Sequence, residues 1–187
     1  MPDSIMEDVV LNAGDKVSAR TLTTIEGAEI AVPAIDGLVH LQFRRFAACP
    51  ICSLHMHEVA ARHDEITNAG ITEIVVFHSA ADALRRYQAE LPFAVIADPE
   101  RTLYGEFGVA SSLRAILHPG PWRAGAKGLL QGRSARDAVA AIALDENHLG
   151  MPADFLIDPD GDIVARKYGE HADDQWSVDE LLALADR

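Results

Sequence analysis

Two cysteines, the only ones in a chain of 187 residues, lie two residues apart in the tetrad Cys49-Pro50-Ile51-Cys52. The run Leu38–Phe43 precedes them and predicts a buried strand, and a helix-like pattern follows them. Because proline lacks an N–H and has a fixed φ angle, Pro50 suits the first turn of a helix. Cys49 is therefore predicted to be the N-cap of that helix.

The predicted N-cap position favours the thiolate form of Cys49. The first N–H groups of a helix have no partner within the helix, and the helix dipole adds positive charge there. Arg44 and Arg45 lie just upstream and could add to this effect, although the sequence does not show which of them faces the site. Cys52 follows one turn later, close enough to form a disulfide. Since the thiolate is the nucleophile, we expect Cys49 to be the exposed attacking thiol and Cys52 the shielded resolving one.

Two other interpretations of the cysteines remain open. His55 and His57 follow them, and thiolates with imidazoles bind zinc or copper, so a metal-binding or metal-delivery module is one alternative. On a helix, however, the two histidines point about 200° apart. The other alternative is a redox-inert domain that binds a partner, because a free cysteine is often a small buried hydrophobe. A Cys-x-x-Cys pair near a βαβ pattern favours the redox interpretation.

The remaining pattern predicts an α/β fold, with a mixed, mostly parallel central sheet and helices on both faces. In chain order we expect a β-hairpin within residues 17–35, the strand Leu38–Phe43, a helix from Pro50 to about Asn68, and the strand Ile71–Phe77. A helix capped by Ser79 and running to about Glu90 follows, then the strand Phe93–Ala97 and a short helix ending near Phe107. The chain ends with the strands Phe155–Asp158 and Ile163–Tyr168 and a last helix opened by a capping box at Ser177–Glu180.

Residues 109–150 do not fit this minimal fold and are predicted to be a helical insertion. Between Phe107 and Arg136 lies a basic block with no acidic residue, made of Arg114, Arg123, Lys127, Arg133 and Arg136. This block is either a lid or docking surface for an anionic partner, or an ordinary solvated face.

Composition limits the classes of function. The net charge of −13 and the pI near 4.9 argue against nucleic acid or an anionic membrane as a partner. No apolar run approaches the ~20 residues of a membrane span, and the N-terminus lacks signal-peptide features. We expect a single cytoplasmic domain over residues 1–187, in a compartment where disulfides are usually catalytic.

Three segments resemble a known family. The tetrad after an apolar strand is similar to that of thioredoxin-fold proteins, Leu91–Val109 resembles the middle of peroxiredoxins, and Asp154–Gly161 resembles the late strand and turn that both share. The chain therefore resembles the peroxiredoxin-like branch of the AhpC/TSA family. The resemblance implies that Cys49 attacks a disulfide or a peroxide and that Cys52 then forms a disulfide with it. It implies no cofactor. An external thioredoxin-like or glutathione-like thiol would reopen the disulfide, and a homodimer is an open alternative.

The resemblance also concerns positions around the tetrad. The peroxiredoxin motif is Pro-x-x-x-Thr/Ser-x-x-Cys, and counting back from Cys49 places Gln42 and Phe46 where the motif has its proline and its hydroxyl. In thioredoxin-fold proteins a cis-proline faces the tetrad, which implies a cis Met151–Pro152 bond against the sulfurs. The Met151 backbone and Pro50 would then contact the substrate.

Overall fold

The computed structural model describes residues 10–109 and 151–186. The strands in these ranges are β1 Arg20–Thr23, β2 Glu29–Val32, β3 Leu38–Arg44, β4 Ile71–Phe77, β5 Ala94–Ala97, β6 Ala153–Ile157 and β7 Ile163–Tyr168. The helices are α1 Pro50–Ala61, α2 His63–Asn68, α3 Ala81–Gln88, α4 Thr102–Glu106 and α5 Val178–Ala185.

The central sheet has five strands in the order β5-β4-β3-β6-β7. β3 pairs in parallel with β4, and β4 with β5, whereas β6 is antiparallel to both β3 and β7. β1 and β2 form a separate antiparallel hairpin. The predicted mixed sheet and N-terminal hairpin are therefore confirmed.

Both faces of the sheet are buried, as the apolar character of β3 and β4 predicts. One core cluster joins Val39, Leu41 and Phe43 to apolar residues of the hairpin and of α4. The opposite cluster joins alternate residues of β4 to α1, α2, α3 and α5. Because side chains alternate along a strand, the even-numbered residues of β3 lie on the second face, beneath the helix that follows Cys49.

The first helix differs from the prediction, because it is broken at Arg62. This residue leaves helical geometry, with φ −112° and ψ 18°. Its guanidinium bonds to Glu65, in α2, and to Asp179 of α5 at 2.7 Å. α1 therefore ends at Ala61, α2 begins at His63, and the side chain of Arg62 between them bridges α2 and α5.

Several other local predictions are confirmed. β4 and β7 have the predicted bounds. Ser177 forms the predicted capping box with Glu180 at the start of α5. No helix within the described part of the chain is long and apolar enough to cross a membrane. The predicted insertion 109–150 lies outside the described residues, except for Val109, and the single domain over 1–187 stays a prediction.

Candidate active site

Cys49 is the N-cap of α1, as predicted. Its backbone is extended, with φ −63° and ψ 115°, and Pro50 is the first helical residue. The Cys49 sulfur accepts a hydrogen bond from the Cys52 backbone N–H at 3.4 Å. A thiolate at this position is stabilised because a sulfur that carries charge accepts hydrogen bonds more strongly.

The two sulfurs are in direct contact. Both cysteines are reduced, and the Sγ of Cys52 donates to the Sγ of Cys49 at 2.8 Å. Burial raises the pKa of the Cys52 thiol, the hydrogen bond and charge of Cys49 raise it further, and the nearby Arg45 opposes the shift. Cys52 therefore holds its proton and shares it with the neighbouring sulfur.

The prediction that Cys49 is exposed is wrong. Cys49 is 0% exposed and Cys52 is 3% exposed, so both sulfurs are enclosed. The physical reason is that Phe46 and Ala47, in the turn before the helix, are themselves buried in the same apolar cluster as the cysteines. The sequence placed this turn next to the site but gave no sign of its packing.

Two polar side chains hold that turn. The Ala47 N–H donates to Ser79 Oγ at 2.9 Å, and the Ala47 carbonyl accepts from Gln88 Nε2 at 2.7 Å. Sequence reasoning assigned Ser79 to a helix cap, whereas α3 begins at Ala81 with Ala80 as its N-cap. Gln88 was missed. Its only signal was a polar residue on the same face of α3 as the buried Leu84, four residues earlier.

The two arginines before the tetrad make different contacts. Arg45 Nη1 lies 3.9 Å from Cys49 Sγ, and its guanidinium carbon lies 5.4 Å from the centroid of the Phe46 ring. Arg44 is also buried, but it extends along the sheet instead. Its Nη2 donates to Gln42 Oε1 at 2.7 Å and to Asp154 Oδ1 at 2.6 Å. Arg45 is therefore the residue that can stabilise the attacking thiolate.

Arg44 belongs to a buried network of charges across β3, β4 and β6. His40 Nδ1 lies 2.9 Å from Glu73 Oε1, and His40 Nε2 lies 3.1 Å from Asp154 Oδ1. Gln42 Nε2 donates to Glu73, so it links the two ends of the network. Its charges are two carboxylates, one guanidinium and, when protonated, one imidazole.

The network shifts the pKa values of its members. Burial alone would lower the pKa of His40, but the carboxylates of Glu73 and Asp154 outweigh it and raise that pKa to about 9. Burial alone would raise the pKa of Asp154, but the charges of Arg44 and His40 hold it well below its usual range. Sequence reasoning missed this network because it treated Leu38–Phe43 as an apolar run. The available signal was His40, Gln42 and Arg44 at alternate positions of one strand.

The geometry gives no support to the metal-binding alternative. His55 Nε2 lies 3.3 Å from the Arg44 guanidinium, whose positive charge would repel a metal ion. His57 is exposed on the other side of α1. Within residues 10–109 and 151–186, no group of three or more His, Cys, Asp or Glu side chains is arranged to hold a metal ion.

The prediction of a cis Met151–Pro152 bond is wrong. Among the bonds between described residues, Val32–Pro33 is cis, whereas Met151–Pro152 is trans. The Pro152 carbonyl accepts from the Gly169 N–H at 2.9 Å, and a Cβ at position 169 would lie 2.6 Å from Pro152 Cγ. Pro152 thus packs against the end of β7, where the cheaper trans isomer fits. Met151 is buried, and the substrate contacts of Met151 and Pro50 stay predictions.

A dithiol at the N-terminus of a helix, directly after the central strand of a mixed sheet, defines a thioredoxin-fold thiol protein. The AhpC/TSA family model matches residues 13–166, so the chain belongs to the AhpC/TSA family. It is a peroxiredoxin-like thiol oxidoreductase.

Solved structures of peroxiredoxins share this fold. The peroxidoxin BcpB of Mycobacterium tuberculosis is 16% identical, with a TM-score of 0.66 over 94% of this chain and 97% of that one. AhpC of the same organism is 16% identical, with a TM-score of 0.63 over 95% and 93%. Peroxiredoxin Q of Xanthomonas campestris is 15% identical, with a TM-score of 0.61 over 89% of each chain. No curated protein matches the sequence.

Proposed function

We propose that the Cys49–Cys52 dithiol reduces a peroxide in two steps. The Cys49 thiolate attacks one peroxide oxygen, the O–O bond breaks, and the leaving oxygen takes a proton to give an alcohol or water. Cys49 is then a sulfenic acid. Cys52 attacks its sulfur, the S–O bond breaks, and the thiol proton leaves with the hydroxyl group as water. The observation that carries the proposal is the 2.8 Å contact between the two sulfurs, with Arg45 beside Cys49.

Membership of the AhpC/TSA family favours a peroxide as the substrate. Xanthomonas campestris bacterioferritin comigratory protein, whose structures were determined to study alkyl peroxide reduction, matches this chain with a TM-score of 0.60 at 14% identity. A buried, cation-assisted thiolate suits a small neutral oxidant, which needs little space to reach it.

A disulfide is a second candidate substrate, because the positions before Cys49 differ from the peroxiredoxin motif. Phe46 takes the place of the hydroxyl that contacts peroxide in that motif, and Gln42 belongs to the charged network. In this alternative Cys49 attacks a disulfide and forms a mixed disulfide, which Cys52 resolves with release of a thiol.

Either cycle ends with a Cys49–Cys52 disulfide that an external thiol must reduce. We propose a thioredoxin-like or glutathione-like reductant, which would give two electrons and two protons and become a disulfide itself. A cytoplasmic location and a homodimer remain part of the proposal, and sedimentation of the purified chain tests the second.

The experiment that tests the function offers the reduced protein one equivalent of hydrogen peroxide or of a model disulfide. We expect rapid loss of both thiols with peroxide and an intact mass lower by two hydrogens. Cys49→Ser should not react. Cys52→Ser should react once and stop as a sulfenic acid, which dimedone traps.

The two variants also serve as controls for each other. A product that forms in Cys49→Ser at the wild-type rate would contradict the assignment of the attacking sulfur. Slow oxidation by peroxide together with rapid exchange with the model disulfide would replace peroxide by a disulfide as the substrate.

A further inference from the structure

His55 lies on the same helix as the resolving cysteine and shares its environment. It follows Cys52 by three residues in α1, so the two side chains are neighbours on one helical face, about one turn apart. Both are buried. The proposed chemistry uses Cys52 but gives no role to His55.

The protonation state of His55 follows from its partner. Arg44 Nη2 lies 3.3 Å from His55 Nε2, and a guanidinium can only donate hydrogen bonds. The two protons of Nη2 also serve Gln42 Oε1 at 2.7 Å and Asp154 Oδ1 at 2.6 Å, so the hydrogen bond to His55 is a shared one. The Nε2 atom of His55 is therefore an acceptor, and the ring proton is on Nδ1. Burial and the charge of Arg44 lower the pKa of His55 to about 3, so the ring is neutral at working pH and keeps this hydrogen bond.

Arg44 is itself fixed to two strands. Besides Gln42 and Asp154, its guanidinium donates to the carbonyls of Phe43 at 3.1 Å and Ala153 at 3.3 Å. It is thus held by β3 and by β6. The hydrogen bond between His55 and Arg44 therefore connects the early turns of α1 to both strands.

Stability alone does not explain a buried network of charges, because well-packed apolar residues at the same positions often give equal stability. The network gives a direction to its contacts, which apolar packing does not. A hydrogen bond at His55 would restrain the rotation of α1 about its axis. Cys52 lies on the same face of that helix, so the same restraint would act on its sulfur.

We propose that His55 is a positioning residue for the resolving step: by accepting a hydrogen bond from Arg44, it keeps the Cys52 sulfur within bonding reach of Cys49. This inference rests on the proposed formation of a Cys49–Cys52 disulfide. In that step an S–S bond forms, the S–O bond of the sulfenic acid breaks, and the Cys52 proton leaves in water. The step depends on the geometry of the two sulfurs, and a small loss of alignment lowers its effective concentration.

The test measures the equilibrium of the Cys49–Cys52 disulfide with reduced and oxidised glutathione in His55→Leu, His55→Gln and wild type. Leucine keeps an apolar volume but has no acceptor, whereas the amide oxygen of glutamine can accept from Arg44. We expect His55→Leu to lower the effective concentration of the dithiol about fivefold, because the hydrogen bond that it removes is shared with two shorter ones. We expect His55→Gln to stay within about twofold of wild type.

A matched control separates positioning from stability. Val59, another buried residue of α1, belongs to the apolar core cluster, so Val59→Ala should lower the melting temperature without changing the glutathione equilibrium. If His55→Leu yields too little folded protein, His55→Met replaces it, with the same expected loss.

The outcomes have separate meanings. An unchanged equilibrium in His55→Leu, an equal loss in Val59→Ala, or no recovery in His55→Gln overturns the positioning role and leaves the proposed function standing. A wild-type chain that forms no Cys49–Cys52 disulfide overturns the proposed function, and the positioning role with it.

Discussion

Arg44 and Arg45 are adjacent in the chain, but their side chains contact different parts of the protein. Arg45 lies beside the attacking sulfur, where its charge favours the thiolate. Arg44 lies among acceptors of β3 and β6 and does not face that sulfur. Successive side chains of an extended backbone point in opposite directions, so one of two neighbouring cations reaches the site.

Replacing Arg45 should slow the reaction of Cys49. In Arg45→Met the thiolate loses the cation beside it, and we expect oxidation of Cys49 by hydrogen peroxide at pH 6 to be roughly tenfold slower than in wild type. Arg86→Met is the matched control, because it removes an exposed arginine from α3. Rates come from mass spectrometry after reaction with limiting hydrogen peroxide. Equal slowing in both variants would show a general charge effect in place of a local one.

Among the secondary-structure elements, β3 carries two functions on its two faces. Val39, Leu41 and Phe43 build an apolar core with the hairpin, and His40, Gln42 and Arg44 build the charged network under α1. The network depends on the pairing of three strands, because His40 pairs with Glu73 of β4 and Gln42 pairs with Asp154 of β6. The stability of the sheet is therefore linked to pH.

The His40 pKa predicts how stability changes in alkaline solution. It is raised from 6.5 to about 9, so the folded state binds this proton more tightly than the unfolded state. The stabilisation is complete below about pH 6.5 and is lost as pH rises through 9, a change of about 3 kcal/mol at most. Urea unfolding between pH 6 and 10 measures it.

Two variants define the origin of that pH dependence. Glu73→Gln removes one of the carboxylates that raise the pKa, so we expect a smaller loss of stability that occurs at lower pH. His57→Gln alters an exposed histidine of α1 and should leave the profile unchanged. A wild-type profile that is flat from pH 6.5 to 9 would mean that His40 is not charged in the folded state.

The capping box of α5 affects stability without touching the sulfurs. Ser177 Oγ accepts from the Glu180 N–H, and the Ser177 N–H donates to Glu180 Oε2 at 2.8 Å. We expect Ser177→Ala to lower the free energy of unfolding by about 1 kcal/mol with unchanged oxidation by peroxide. Ser18→Ala, at an exposed position outside any helix, is the control. A loss of activity would assign α5 a part in the reaction.

For the whole molecule, the position of the second cysteine means that the disulfide can close without unfolding. The sulfurs are 2.8 Å apart in the reduced state, and a disulfide needs about 2.05 Å. We expect reduced and oxidised protein to have equal helix content by far-ultraviolet circular dichroism and similar hydrogen exchange in α1. Loss of protection across Pro50–Ala61 on oxidation would show instead that the helix must open.

The sequence determined the features that depend on neighbours along the chain. Pro50 marked the start of a helix, and Ser177 with Glu180 marked another, because proline and capping side chains act within a few residues. Apolar runs set the bounds of β4 and β7. The spacing of Cys49 and Cys52 also indicated thiol chemistry, because a disulfide between them needs only residues one helical turn apart.

Only the tertiary structure decided what depends on contacts between distant segments. His40 and Asp154 are 114 residues apart, and strand pairing alone brings them together. The burial of Cys49 and the choice of Arg45 depend on how the turn before α1 packs. The trans bond at Pro152 lies where that residue packs against Gly169 from another strand end. Electrostatic effects and close packing act through space, so a pattern along one chain cannot show which charges meet.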